Sequence, residues 1–287
     1  MERTRRIALG AAVLSVLFQS FGPIFVRKSG MRGLAFAFHR MWLAAFVYAV
    51  LAWALHRPVT MRAIRVSAFG GLFFAFNIAT FFVAVQRTSI ANASVIGALQ
   101  PAALLVVVNR MFGERPTVRD FVWTGVSIAG AAIVVLGSSS ARTGDPLGDL
   151  LALTAMLGFA AYFVASKQAR ATLGAFEYQS ALSVVAALAL VPVVLIGGQL
   201  DVPDISSWPW IAAMVALPGT GHLLMNHAHA YVRLSLMSVI TLLAPAASAV
   251  LAWALLDERL VVVQVVGMAV TVGALALMVR SARPVPA

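Results

Sequence analysis

The chain has 287 residues, a net charge of +11 and no cysteine; 61% of its residues are hydrophobic and 11% are charged. A soluble domain has about a quarter charged residues, so this composition excludes an ordinary soluble fold. The absence of cysteine excludes disulfides, thiolate catalysis and cysteine–metal sites. The positive charge does not call for a nucleic-acid partner, because Lys and Arg collect in the cytoplasmic loops of membrane proteins.

Apolar runs of about 20 residues recur along the chain, each long enough to cross the roughly 30 Å hydrocarbon layer of a bilayer as a helix. They predict an all-α membrane protein with ten transmembrane helices, since the strands of membrane barrels are shorter and alternate. The first run shows no small-residue cleavage site, so we expect it to be kept as a span. The runs lie near residues 7–26, 34–55, 66–86, 90–111, 119–137, 147–166, 177–197, 208–230, 235–256 and 261–279.

Positive charge is distributed unequally between the loops on the two sides of these spans. With the N-terminus inside, the inner segments carry fourteen of the 21 Lys and Arg residues, the outer segments carry six, and Arg40 lies within the second span. Because positive residues favour the cytoplasmic side, we predict that both termini are cytoplasmic. The location is then a bacterial-type inner membrane, and the lipid bilayer is a partner of the chain.

Two similar stretches lie 144 residues apart: PAALLVVVNRMFGER begins at Pro101 and PAASAVLAWALLDER begins at Pro245. Ten spans and this period give five spans per half. Because five is odd, the second half enters the membrane from the opposite side. We therefore predict two inverted five-helix repeats, residues 1–140 and 141–287, which can open a central site to each side in turn.

Four prolines are predicted to break transmembrane helices: Pro23, Pro101, Pro218 and Pro245. Proline removes a backbone donor and disturbs the carbonyl one turn back. Broken helices at matching positions of two halves point to a transporter site. Tolerated kinks with a packing role are the alternative, because proline is common in membrane helices.

Polar and aromatic side chains within the spans are candidates for substrate binding, since polar groups there usually face the protein interior or a wet cavity. Arg40 could attract an anionic group of a substrate, but contact with lipid phosphates or a structural role is the favoured interpretation. The amide of Asn77 beside aromatic rings suits a pocket for a partly apolar solute. The candidates are Gln19, His39, Asn77, Phe81, Gln100, His222 and Asn226.

The eighth span is the most unusual, because His222, Asn226 and His229 are spaced to share one helix face while His227 points elsewhere. Hydrogen bonding to substrate, proton transfer and metal ligation are all open to this group. No embedded carboxylate or cysteine completes a metal site, so we predict no metal and no cofactor.

Two stretches resemble a known family. PGTGHLLMNHAHAYVRLSLMSVITLLAPAASAVLAWALLDERL is similar to the carboxyl-terminal repeat of EamA-type carriers of the drug/metabolite transporter superfamily, and TSIANASVIGALQPAALLVVVNRMFGERPTV echoes it in the first half. The matching features are Gly219-Thr220, Pro245 and Glu258-Arg259. The resemblance implies a ten-helix bundle with cytoplasmic termini that transports small organic metabolites. Relatives that export aromatic amino acids make these solutes the first candidates.

We therefore predict a carrier, not an enzyme, that moves small organic metabolites outward by alternating access. Neutral or zwitterionic solutes suit the predicted pocket. The alternative is an intramembrane enzyme, or a metal-ion transporter that uses His222, His227 and His229. Neither a serine nucleophile turn nor a His-Glu-x-x-His motif is present in the sequence. No acidic residue lies mid-span, and we expect Glu114 and Glu258 to cap helices or pair with adjacent arginines.

Overall fold

The computed structural model describes residues 2–88, 90–137, 145–256 and 260–281. Within these ranges the chain forms thirteen helices and no strand. The helices are α1 (Glu2–Gln19), α2 (Gly22–Ser29), α3 (Gly33–Ala54), α4 (Met61–Arg87), α5 (Ile90–Gly97), α6 (Gln100–Phe112), α7 (Val118–Gly137), α8 (Pro146–Ala169), α9 (Ala175–Ile196), α10 (Trp208–His229), α11 (Leu234–Ile240), α12 (Leu243–Leu256) and α13 (Val262–Ser281).

The thirteen helices correspond to the ten predicted spans because three of these spans consist of two helices each: α1 with α2, α5 with α6, and α11 with α12. A proline follows each of the three interruptions. Pro23 and Pro101 are the second residues of α2 and α6, and Pro245 is the third residue of α12. Proline fits these positions because the first N–H groups of a helix have no partner within the helix.

The fourth predicted break does not occur, since α10 is continuous through Pro218. Proline disrupts one backbone hydrogen bond, and a membrane helix tolerates this where neighbouring helices hold the chain. Here α1 packs against the residues that follow: a methyl group added at Gly221 would lie 2.8 Å from the carbonyl oxygen of Ser15. This close contact leaves the segment no room to bend toward α1.

The outer surface of the bundle is apolar, as expected for helices in contact with lipid. Among the described residues, nine segments are long and apolar enough to cross a membrane. Large side chains on this surface are strongly exposed, including Phe69, Val106 and Val262 at 69%, 72% and 78%. The eighth predicted span, α10, is not among these nine; it is as long as its neighbours but less apolar, because it carries three histidines and an asparagine.

Helices from the two halves of the chain pack against each other throughout the bundle. The third span, α4, packs along the sixth, α8, and the eighth span, α10, packs along the first, α1. Likewise α4 contacts α9 while α10 contacts α3, and the fifth span, α7, packs along the tenth, α13. When each span of the first half is replaced by the equivalent span of the second, and the reverse, the pair α4–α8 becomes α10–α1 and the pair α4–α9 becomes α10–α3. The pair α7–α13 becomes itself. The interior is therefore built jointly by both halves.

The pair α7 and α13 is held at close distance by two glycines that face each other. A methyl group added at Gly130 would lie 2.9 Å from the carbonyl oxygen of Gly267, and one added at Gly267 would lie 2.8 Å from that of Gly130. Small residues at such positions let helix backbones approach closely within a membrane. This contact joins the last span of one half to the last span of the other.

Candidate substrate site

Four side chains from four helices surround the centre of the bundle: Arg40 of α3, Phe74 of α4, Tyr162 of α8 and His222 of α10. We call them the central cluster. The guanidinium carbon of Arg40 lies 5.8 Å from the centroid of the Phe74 ring. The rings of Tyr162 and His222 lie 5.0 Å from the same centroid, the latter nearly edge-on at 75°. Phe74 is itself buried, with 3% of its surface exposed.

Two strong hydrogen-bonding groups of the cluster have no hydrogen-bond partner among the described residues. Neither Arg40 nor the imidazole of His222 forms a hydrogen bond or an ion pair with any described residue, and the Nδ1 atom of His222 is fully buried. Buried polar groups in native proteins are almost always satisfied. Unpaired groups at the centre of a membrane protein therefore point to a ligand.

The cluster carries a positive charge that no nearby acid balances. In the described part of the chain, every Asp and Glu lies in a loop or within the first turn of a helix. Arg40 instead lies over the face of the uncharged Phe74 ring. A charged side chain within a span is costly, and such residues are usually functional.

Asn226 belongs to a satisfied network beside the cluster. Its side-chain amide donates to Oε1 of Gln179 at 2.6 Å, and its Oδ1 accepts from the hydroxyl of Tyr162 at 3.3 Å. Its backbone carbonyl accepts from Nε of Arg170 at 2.8 Å. Asn226 thus joins α10 to α8 and α9 and positions Tyr162, while no part of it is exposed.

Gln19 and Gln100 lie at the interrupted helices. The amide of Gln19, the last residue of α1, donates to Sδ of Met225 at 3.8 Å, on the same helix as His222. Oε1 of Gln100 accepts from the hydroxyl of Thr241, at the interruption between α11 and α12, at 3.5 Å. The buried Nε2 of Gln100 has no partner among the described residues.

The other three candidates make contacts away from the cluster. Nε2 of His39 lies 2.7 Å from the backbone oxygen of Asp201, in the loop before α10. The amide of Asn77 donates to the carbonyl of Ala155 at 2.9 Å and joins α4 to α8. The ring of Phe81 lies 5.9 Å from that of Phe82.

The remaining histidines of α10 do not form a metal site with His222. His229 packs edge-on against Phe163, with ring centroids 4.8 Å apart, and His227 lies beside Tyr231. No group of three potential metal-binding side chains occurs in the ranges that the structure describes. The metal-transport alternative gains no support from this arrangement.

A buried charge cluster closes the face of the bundle at which α1 begins, the N-terminal face. The carboxylate of Glu114, in the loop before α7, accepts from the backbone N–H groups of Leu234 and Ser235 at 2.6 and 3.1 Å. Lys167 and Arg233 lie 3.5 and 3.8 Å from this carboxylate. Glu114 therefore caps a helix, as expected, but the helix is α11 of the other half. Glu258 lies outside the described residues.

Contacts between the halves also occur at the opposite face. Nε of Arg32 donates to Oδ2 of Asp201 at 2.6 Å, and this hydrogen bond lowers the pKa of the Asp201 carboxyl. The hydroxyl of Thr88, at the end of α4, donates to Asp149 in the first turn of α8 at 2.6 Å. Both pairs join the first half of the chain to the second.

The sequence matches the model of the EamA-like transporter family twice, over residues 6–136 and 146–280. The chain belongs to the EamA-like transporter family. Its membership places it in the drug/metabolite transporter superfamily and confirms the resemblance drawn from the repeated Pro-to-Glu stretches. EamA-like proteins are multi-pass membrane transporters, so the coarse prediction of a carrier is confirmed as well.

Solved structures show the same fold. One chain, described only as the crystal structure of a protein, superposes with a TM-score of 0.78 at 18% identity, over 94% of this EamA-like chain and 95% of that chain. At this identity the likeness concerns the fold alone. No curated protein matches the chain.

Sequence reasoning missed three members of the central cluster: Arg40, Phe74 and Tyr162. A lipid or structural role is the interpretation that the sequence favours for Arg40, and the structure places its guanidinium against the buried Phe74 ring. One signal was available, because Arg40 is the one Lys or Arg of the chain that was assigned to the interior of a span. Phe74 and Tyr162 carry no such signal, because the chain contains many similar aromatic residues.

Proposed function

We propose that this EamA-like protein carries small organic solutes across the membrane by alternating access, with the central cluster as the solute site. The observation that carries the proposal is that Arg40 and His222 lie beside one ring at the junction of both halves, without a hydrogen-bond partner in the described part of the chain. A site of this kind, aromatic with a few convergent polar groups, is typical of pockets for small molecules.

Two inverted repeats supply the mechanics. Five spans in each half require opposite orientations, and the packing of helices is preserved when the halves are exchanged. The interrupted spans, α5–α6 and α11–α12, occupy equivalent places in the two halves and meet through Gln100 and Thr241. Discontinuous helices at the interface of repeats are a feature of carriers that rock one bundle against another.

The contacts at the two faces would act as gates. Glu114 ties the halves together at the N-terminal face, while Arg32 and Thr88 do so at the opposite face. Alternating access requires that one set opens while the other stays closed. We propose that the N-terminal face is cytoplasmic, from the excess of Lys and Arg there, and that net movement is outward, by analogy with exporters of the family.

Counterflow in proteoliposomes tests the carrier function. Vesicles are loaded with a mixture of small carboxylates, amines and amino acids, and mass-tagged copies are added outside without an ion gradient. We expect one class to accumulate, with loss of accumulation in His222→Ala and retention in His227→Ala. His227 is the matched control, because it lies on the same helix away from the cluster. Folded protein that exchanges none of the solutes would contradict the proposal.

A further inference from the structure

We propose that Arg40 anchors the carboxylate of an organic monoanion, and that the apolar body of this solute lies against Phe74 and Tyr162. The inference rests on the proposed carrier function and names the substrate class of the same site. It departs from the neutral or zwitterionic solutes favoured by the sequence, because it gives the carboxylate the central role and leaves an ammonium group without a partner.

The first argument is the geometry of the guanidinium. Phe74 covers Arg40 at a distance of 5.8 Å, which positions the cation through its π face and leaves its N–H groups without an acceptor among the described residues. These N–H groups form a planar fork that matches the two oxygens of a carboxylate. His222, on the same ring, supplies a second group able to bond to the solute.

The second argument is charge. An arginine without a counter-ion inside the membrane is unfavourable, and a bound monoanion neutralises it. A cationic solute meets repulsion from Arg40 and finds no acid mid-span in the described part of the chain. A dianion such as phosphate would leave an excess negative charge, because Arg40 is the one cation of the central cluster. A single carboxylate is therefore the charge that fits.

The third argument concerns the rest of the solute. Phe74 and Tyr162 are buried aromatic residues, with 3% and 0% of their surfaces exposed and ring centroids 5.0 Å apart, so a solute would contact these rings once the cluster has opened. The hydroxyl of Tyr162 is already bonded to Asn226, and the hydroxyl of Tyr48 on α3 is bonded to the carbonyl of Gly219. These groups have little left to offer a polar body. An apolar or aromatic body is the better complement to this surface.

A lipid headgroup could supply the same anion, so the test must separate the two sources. Anionic phosphatidylglycerol and a soluble carboxylate such as 3-phenylpropionate both carry one negative charge. The thermal unfolding midpoint of the protein is measured in phosphatidylcholine vesicles, with and without each of them. A ligand that binds the folded state raises this midpoint with its concentration.

We expect 3-phenylpropionate to raise the midpoint of the wild-type protein and phenethylamine, its cationic counterpart, to leave it unchanged. In Arg40→Gln the shift should vanish, while the midpoint without ligand should rise, because an unpaired charge has been removed from the interior. Arg40→Lys keeps the charge without the fork and should bind about tenfold more weakly. Arg57→Gln, in the exposed loop after α3, is the control for loss of one positive charge and should behave as wild type.

The same proteins are then compared in counterflow, where failure of the carrier function and failure of the inference look different. Exchange of amines or neutral solutes, or exchange of 3-phenylpropionate that survives Arg40→Gln, would keep the carrier and overturn the inference. A shift caused by phosphatidylglycerol but not by 3-phenylpropionate would assign Arg40 to lipid and overturn it too. If no solute exchanges at all, the carrier function itself fails. If Arg40→Gln does not fold, Arg40→Lys still tests the inference. A 3-phenylpropionate shift in Arg40→Lys as large as in the wild-type protein would contradict the role of Arg40 as the carboxylate anchor.

Discussion

The carboxylate of Glu114 accepts a hydrogen bond from the backbone N–H of Leu234, the first residue of α11, with a donor–acceptor distance of 2.6 Å. The acceptor lies in the first half of the chain and the donor in the second. A negative charge at the start of a helix interacts favourably with its unpaired N–H groups and its dipole. This single bond therefore ties the fourth and fifth spans to the ninth at the N-terminal face.

Glu114→Gln should destabilise the protein by about 3 kcal/mol, because Lys167 and Arg233 would remain buried without their counter-ion. The amide also offers one acceptor oxygen where the carboxylate offers two. The free energy of unfolding, measured by SDS titration in mixed micelles, checks this expectation.

Glu177→Gln is the matched control for this change. Glu177 is also an acid near the N-terminal face, in the first turn of α9, but no ion pair joins it to a described residue. Its substitution should change the unfolding free energy by less than about 0.5 kcal/mol. Equal effects of the two substitutions would show that the Glu114 cluster contributes no specific stability.

Gly130→Ala in α7 should destabilise the protein by about 1–3 kcal/mol, because the added methyl group would overlap the backbone of α13. Its position lies 2.8 Å from the backbone nitrogen of Thr271 and 2.9 Å from the oxygen of Gly267. Gly125→Ala, one and a half turns earlier in the same helix, meets no atom within 4 Å and should be neutral or stabilising. Thermal unfolding of the two variants in one detergent gives the comparison, and a loss of stability in Gly125→Ala would refute the packing argument.

Asn226 and His222 should respond differently to substitution by alanine. Loss of the Asn226 amide leaves Gln179 and Tyr162 without a buried partner, so stability should fall by about 1–3 kcal/mol. His222→Ala removes a group whose Nδ1 has no hydrogen-bond partner among the described residues, so transport should be lost while stability falls less than in Asn226→Ala. Parallel transport and unfolding measurements separate the two roles; a reversed pattern would move the solute site to Asn226.

The Arg32–Asp201 pair should make stability depend on pH in the acidic range. The pKa of Asp201 is lowered by its hydrogen bond to Arg32. A carboxyl group with a lowered pKa in the folded state adds stability above its unfolded value, about 3.9, and this stability is lost as pH falls through the folded value. The difference in unfolding midpoint between wild type and Asp201→Asn should be constant from pH 5 to 7 and shrink below about pH 4.

The same measurement in an Arg32→Gln background is the control. Without the guanidinium, the effect of Asp201→Asn should be smaller and should vary less with pH. High salt should reduce it in the Arg32 protein, because the pair is exposed. A difference that persists unchanged in Arg32→Gln would show that another group controls the titration of Asp201.

Much of the fold could be predicted because the membrane imposes simple requirements on a sequence. A span needs an uninterrupted apolar run, and a proline removes a backbone donor wherever it occurs. The interruptions before Pro101 and Pro245 follow from this chemistry. The continuity of α10 at Pro218 does not, because it depends on the tight packing of α1 against Gly221, which is a property of the assembled bundle.

The candidate site was less accessible to sequence reasoning. His222 was found, since a polar residue in an apolar run stands out. For Arg40 the sequence favours a lipid or structural role, because α3 is apolar on all sides and no polar stripe indicates which face is buried. Asn226 looked the same as His222 in sequence; its contacts with Gln179 and Tyr162, from two other helices, are what distinguish it.

The modest hydropathy of α10 bears on how the protein is made. Among the described residues, nine segments are long and apolar enough to cross a membrane, and α10 is not one of them. This helix would therefore partition poorly into lipid by itself. Its polar groups bond to side chains that leave the ribosome earlier, namely Gln179 with Asn226 and Gln19 with Met225. We therefore expect insertion of the eighth span to depend on its contacts with the spans that precede it.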